Sequence, residues 1–509
     1  MGETDESGDV WDFLPKRTSE QKSSAPDIPV SNKPGTSSSD DAWDFLATRK
    51  AEVQARGDEA TVPEAVIERR EHGEFRAEMG GASLKRRAIP MAVALAAIFF
   101  AGFVTEVVAS SQMIALAGTQ SLLYIYPLGG LGLVLLGLAQ FRFVDQAARL
   151  RVLRYVSLAY ALVFVIALVC ISAGVTPIIA TGLIWLLADQ LNFLVPLLIW
   201  SLAGDEFNVA EGQKIFGWLV AWTYVGQFLG LGVAFVSPSL LKNLDVSLTS
   251  LLVISPIVCI GIAIWLPRVL RGSHAALGTA KAESYPESFK SAWGFITGVP
   301  IWRYLLSASM LSFVGGTTIV MGFSVGVGDI IGRDAQELQV VFAGAWLIGL
   351  AGCLAIQYFF AERIAGKIGI PGTLILLPIA AVIAGIVMTV GAAMGSVAVI
   401  IVAITIWRLP RWSLDENARR GALALVPDER RTRVSFIIDL LPVATGLILA
   451  APIVAIGFAF DRFWISSIIA TLIAAAAIPL SIKVIKGWED SLMNWRLRRR
   501  KQNRTLDFG

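Results

Sequence analysis

Residues 88–117 read AIPMAVALAAIFFAGFVTEVVASSQMIALA, with Glu106 the one charge in the whole run. A helix needs about 20 apolar residues to cross ~30 Å of hydrocarbon, so this run is long enough to span a bilayer. Eleven further runs of the same kind follow, at about 121–141, 152–173, 177–203, 214–237, 248–268, 301–328, 338–361, 370–390, 392–408, 434–457 and 463–484. The 509-residue chain is 55% hydrophobic and 16% charged. That balance belongs to an all-α polytopic membrane protein of about twelve transmembrane helices, not to a large soluble core.

An even number of spans puts both termini on one side. Beyond residue 84 there are 33 Lys and Arg, and all but Lys242, Arg333 and Arg462 fall on the side that holds the termini. The positive-inside rule makes that side cytoplasmic. The expected location is a multi-pass protein of the cell inner membrane with both termini in the cytoplasm. The expected division is a cytoplasmic tail (1–84), a first six-helix half (85–271), a central cytoplasmic loop (272–300), a second six-helix half (301–486) and a basic tail (487–509).

Little enzymatic chemistry is on offer. Cys170, Cys259 and Cys353 all sit inside apolar spans as small buried hydrophobes, and the chain's two histidines lie in polar segments. No metal site, Ser-His-Asp arrangement, Walker A loop or kinase signature can be assembled, and no cofactor, enzymatic activity or nucleic-acid partner is expected.

The two halves echo one another. After span 2 the chain reads Phe143-Val144-Asp145-Gln146-Ala147-Ala148-Arg149, and after span 8 Phe360-Ala361-Glu362-Arg363-Ile364-Ala365-Gly366-Lys367. Trp200-Ser201-Leu202 before Asp205-Glu206 is matched by Trp412-Ser413-Leu414 before Asp415-Glu416. Asp145 and Glu362 are 217 apart, and Glu211 and Glu429 are 218 apart. Features that share nearly one offset indicate a 6+6 pseudo-repeat, as in many transporter folds.

A twelve-span duplicated chain of this topology resembles the major facilitator superfamily. That family's charged loop motif survives here in fragments, as Asp145, Arg149 and Arg151 and as Glu362, Arg363, Gly366 and Lys367. The resemblance implies that Asp145, Arg149, Glu362 and Arg363 act as gating contacts. A further resemblance, to the bacterial and plastid ATP/ADP-translocase-like proteins, rests on residues 199–208 with 211–217, on Pro300-Ile301-Trp302-Arg303-Tyr304-Leu305, and on Arg408 through Asp439, especially Ala418-Arg419-Arg420 and Val426 through Arg433. Nucleotide transport fits the spans poorly. About three to four negative charges call for several bases in a central site, and on these boundaries Arg303 and Arg408 sit only at span ends.

Spans 1, 4, 7 and 10 line the central cavity in the superfamily. Span 1 carries Thr105 and Glu106, and span 4 carries Asp189, Gln190 and Asn192 within one turn. Asp189, 12 residues into span 4, lies ~18 Å along it, near the midplane. A carboxylate there is expensive unless paired, hydrated or protonated, so it is a functional candidate. Glu106 and Asp189, with Gln190 and Asn192, read as a protonatable, cation-binding or substrate-binding site. The plain alternative is a packing hydrogen bond for Asp189 and an interfacial place for Glu106. Asp439, early in span 11, reads either as a site residue or as a helix-start residue paired with Arg433 or Arg408.

The tail holds 18 acids against 10 bases and is rich in Ser and Pro, a composition that favours disorder. No cleavable leader is expected ahead of it. It carries one pattern twice, Trp11-Asp12-Phe13-Leu14 and Trp43-Asp44-Phe45-Leu46, 32 residues apart. Paired aromatic anchors suit bivalent capture of a cytoplasmic protein partner. The function expected is alternating-access transport of a small solute through the lipid bilayer, with or without proton coupling. The alternative is a non-transporting scaffold of the same fold that recruits its partner through the tail.

Overall fold

The computed structural model describes residues 81–144, 149–207, 209–270, 285–426 and 428–506. Both tail motifs and Asp145 lie outside them. The fold is that of the compact unit Leu84–Gly509.

Every regular element described is helical. In chain order they are α1 (Gly81–Ala117), α2 (Leu122–Val144), α3 (Arg149–Ser172), α4 (Pro177–Glu206), α5 (Val209–Asn243), α6 (Ile254–Val269), α7 (Tyr285–Gly298), α8 (Pro300–Ile331), α9 (Ala335–Phe359), α10 (Ala361–Leu374), α11 (Leu376–Met394), α12 (Val397–Pro410), α13 (Glu416–Ala422), α14 (Asp428–Ala459) and α15 (Trp464–Leu506). Among the described residues eleven segments are long and apolar enough to cross a membrane, and a shorter apolar stretch, Thr119–Leu135, leads into α2. The chain is thus an all-α polytopic protein, as its sequence predicts. Large apolar side chains such as Leu135, Leu162, Ile179, Leu229 and Ile257 remain exposed on its outer surface, the side chains a bilayer would cover.

One boundary differs in a way that matters. The sequence reading ends span 10 at 408. The helix instead runs through a π turn, Arg411–Asp415, into α13, as a single apolar segment Val397–Ala422. A π turn takes up the backbone disruption that a helical proline causes. Ser413 Oγ donates to the Leu409 carbonyl within it. Arg408 therefore sits mid-helix and not at a membrane exit.

Glycines set the closest helix contact. A Cβ at Gly226 of α5 would stand 2.2 Å from the Ala96 carbonyl oxygen of α1, and one at Gly230 would stand 2.6 Å from that of Phe100. Only the absence of a side chain lets the two backbones approach so closely. Elsewhere α5 packs along α9, where buried Gln339 Nε2 donates to the Ala234 carbonyl (2.8 Å) and to Ser237 Oγ (2.9 Å). Similarly, α2 packs along α14.

Candidate functional site

Three charged side chains come to one depth of the bundle, measured from the ends of the helices opposite the basic loops. Glu106 lies eleven residues before the end of α1 at Ala117, Asp189 twelve after the start of α4 at Pro177, and Arg408 eleven after the start of α12 at Val397. At 1.5 Å per residue these are ~16, ~18 and ~16 Å from that face. Glu106 is within electrostatic reach of both Asp189 and Arg408. Yet among the described residues none of the three forms an ion pair.

Each is held in a distinct way. Asn192 Nδ2, one turn beyond Asp189 on α4, donates to Glu106 Oε2 at 3.1 Å. Gly102 makes room for that contact, since a Cβ there would stand 1.8 Å from Asn192 Oδ1. Gln190 Nε2 donates to the Gly129 carbonyl of α2 at 3.0 Å, tying α4 to α2 beside the Asp189 carboxylate. Asp189 itself accepts no hydrogen bond from the described residues. The Arg408 guanidinium lies 3.7 Å from the ring centre of Trp346 on α9, itself eleven residues into its helix. Buried Arg408 Nη1, Asn192 Oδ1 and Gln190 Oε1 have no hydrogen-bond partner.

Other polar residues of these helices are occupied. Thr105 Oγ1 and Ser255 Oγ share a 2.7 Å hydrogen bond that joins α1 to α6. Ser312, Thr318 and Thr405 each donate to a carbonyl four residues back in their own helix.

Asp439 belongs to a separate cluster. Arg419, 2% exposed, donates from Nε to Asp415 (2.9 Å) and from Nη1 to Asp439 (2.9 Å), while Arg411 lies 3.8 Å from Asp415. Its partner is Arg419 and not the Arg433 or Arg408 that the sequence suggests. Of the loop charges, Arg149 donates to the Ser201 carbonyl at 3.1 Å, and Glu362 and Arg363 are exposed on α10. Two elements escaped the sequence reading. Arg87, at the start of α1, pairs with Glu206 (3.1 Å) and Glu211 (2.8 Å), fastening α1 to the α4–α5 connection. At the opposite end Thr119 Oγ1 donates to Asp329 Oδ1 at 2.9 Å, linking the α1–α2 turn to the end of α8 beside a cavity of about 400 Å³ that Arg333 also lines.

No family model matches the sequence, and no curated protein matches it significantly. Solved structures do resemble the fold. A POT family transporter in complex with 5-aminolevulinic acid aligns with a TM-score of 0.55 at 13% identity, over 79% of this chain and 96% of that one. The nucleoside transporter NupG aligns at 0.55 and 13%, over 78% and 99%. A bacterial homologue of the iron transporter ferroportin in an inward-facing state aligns at 0.54 and 14%, over 78% and 98%. The chain shares the fold of these solved transporters.

Proposed function

We propose that this chain is a secondary transporter that moves a small solute by alternating access, with Glu106, Asp189, Gln190, Asn192 and Arg408 as its central site. The observation that carries this reading is the trio of charges at one depth of a membrane bundle, with Glu106 in electrostatic reach of the other two and none of them ion-paired among the described residues. Each charge kept inside the bilayer is costly unless compensated. Two carboxylates and a guanidinium left without salt bridges suit groups whose compensation arrives with a ligand or a proton. Proton coupling follows naturally, with Glu106 or Asp189 taking up one proton for each solute. Asp439 then serves, through Arg419, to hold the basic-loop end together.

A nucleotide di- or triphosphate remains a poor fit. Arg408 is joined at its depth by two carboxylates, and Arg411 and Arg419 lie beside Asp415. The loop likeness to nucleotide translocases is better taken as shared ancestry.

The test is thermal stabilisation of the purified protein by a panel of nucleotides, amino acids, sugars, organic cations and lipids between pH 5 and 8. A ligand bound to the folded state raises the melting point. A hit that Asp189→Asn abolishes supports the central site, whereas a hit indifferent to that change sinks it. The twice-written Trp-Asp-Phe-Leu pattern favours a second reading, a scaffold that recruits a cytoplasmic protein. A cellular phenotype lost on deleting residues 1–50 but unchanged by Asp189→Asn would select it.

A further inference from the structure

We infer that the solute is a small zwitterion whose oxyanion end docks on Arg408 and whose ammonium end docks between Glu106 and Asp189, an inference that rests on the transport reading above. One face of the Arg408 guanidinium is covered by Trp346 at 3.7 Å, so only its in-plane N–H groups remain to bind anything. Of these, Nη1 is buried and donates to no acceptor among the described residues. A buried charged donor without an acceptor is among the costlier states a side chain can occupy, and a planar guanidinium fork matches an oxyanion.

Across from it the deficit is reversed. Glu106 accepts one hydrogen bond, from Asn192, and Asp189 accepts none from the described residues. Asn192 Oδ1 and Gln190 Oε1, on the same helix as Asp189, are buried acceptors that receive no proton. Unmet acceptors on α1 and α4 thus share one depth with an unmet donor on α12, and Glu106 is within electrostatic reach of Arg408. A simple cation would leave Arg408 unsatisfied, and a simple anion would sit beside two carboxylates. A zwitterion answers both deficits and brings no net charge to the middle of the membrane. Two carboxylates and one guanidinium carry a net charge of −1, so a zwitterion plus one proton, taken by Glu106 or Asp189, leaves the loaded site neutral.

The experiment uses the full chain in lipid nanodiscs and reads its melting point and ligand affinity. The probes are L-alanine, 4-aminobutyrate and 2-aminoethylphosphonate, which vary the charge separation and the oxyanion. Beside them go the one-charge analogues propionate, butyrate, ethylphosphonate, ethylamine and butylamine. At least one zwitterion should raise the melting point while its one-charge analogues do not. Arg408→Gln should weaken that zwitterion about tenfold or more and turn the preference toward the matching amine, a switch that loss of packing alone would not produce. Arg408→Lys, which keeps the charge and loses the fork, should fall between, and it serves as the variant if Arg408→Gln does not fold.

Equal binding of a one-charge analogue overturns the zwitterion and leaves transport standing. Silence of all these probes, while a sugar or another neutral solute in the wider panel stabilises the protein, does the same. Silence in both sets removes the transport reading with it.

Discussion

Gly102 shows how closely the candidate site is fitted. It lies one turn before Glu106 on α1, and its missing side chain is the space that Asn192 occupies. Gly102→Ala should push Asn192 off Glu106. We expect a stability loss of about 1–3 kcal/mol, the usual range for overpacking, together with a larger proportional loss of ligand affinity. Melting temperature and ligand titration on the same sample separate the two, and unchanged affinity would take Asn192 out of the site. Glu106, Asp189, Gln190 and Asn192 were legible in the sequence for one reason: polar groups inside apolar runs stand out against what the bilayer tolerates. Arg87 was not. Its partners, Glu206 and Glu211, lie more than a hundred residues away, and a base at a span end looks the same whether it faces headgroups or an acid.

The helix pair α12–α13 gives the element-scale lesson. Pro410 ordinarily marks a stop and outweighs the i,i+4 spacing of Arg411, Asp415 and Arg419 that follows, so the run looks like a loop. What sustains the helix is partly local and partly tertiary: Asp415 meets Arg419 one turn on, and Arg419 reaches Asp439 on α14. Guanidinium contacts to Phe313 add to this, at 4.6 Å from Arg411 and 5.7 Å from Arg419. Breaking such a buried cluster at its centre should cost far more than trimming its edge. Arg419→Met leaves Asp439 without its base and Asp415 with only Arg411 at 3.8 Å, and should lose about 3–5 kcal/mol. Asp439→Asn leaves Arg419 with Asp415 and should lose less than half of that. Chemical denaturation of both variants in one detergent checks the order, and equal losses would mean that the cluster does not work as a unit.

Across the whole molecule the element count and all-helical class were readable from hydropathy alone, because a bilayer fixes the length and polarity of what crosses it. The seams between helices were not, since they depend on which faces meet. One seam invites a direct test. The Thr119–Asp329 bond ties the α1–α2 turn to the end of α8, helices that alternating access would have to part on that face. Cysteines at 119 and 329, joined by a short cleavable cross-linker in an otherwise cysteine-free chain, should stop solute uptake, and cleavage should restore it. Undiminished uptake in the joined protein would mean that this face stays shut throughout. A different seam resists sliding. Where α5 lays Gly226 and Gly230 on the carbonyl oxygens of Ala96 and Phe100, no side chains lie between the backbones to repack. A slip of one residue, ~1.5 Å, would drive main chain into main chain. The two helices are therefore mechanically a single lever, and a pair of spectroscopic labels, one on each, should keep a constant separation through every stage of the cycle.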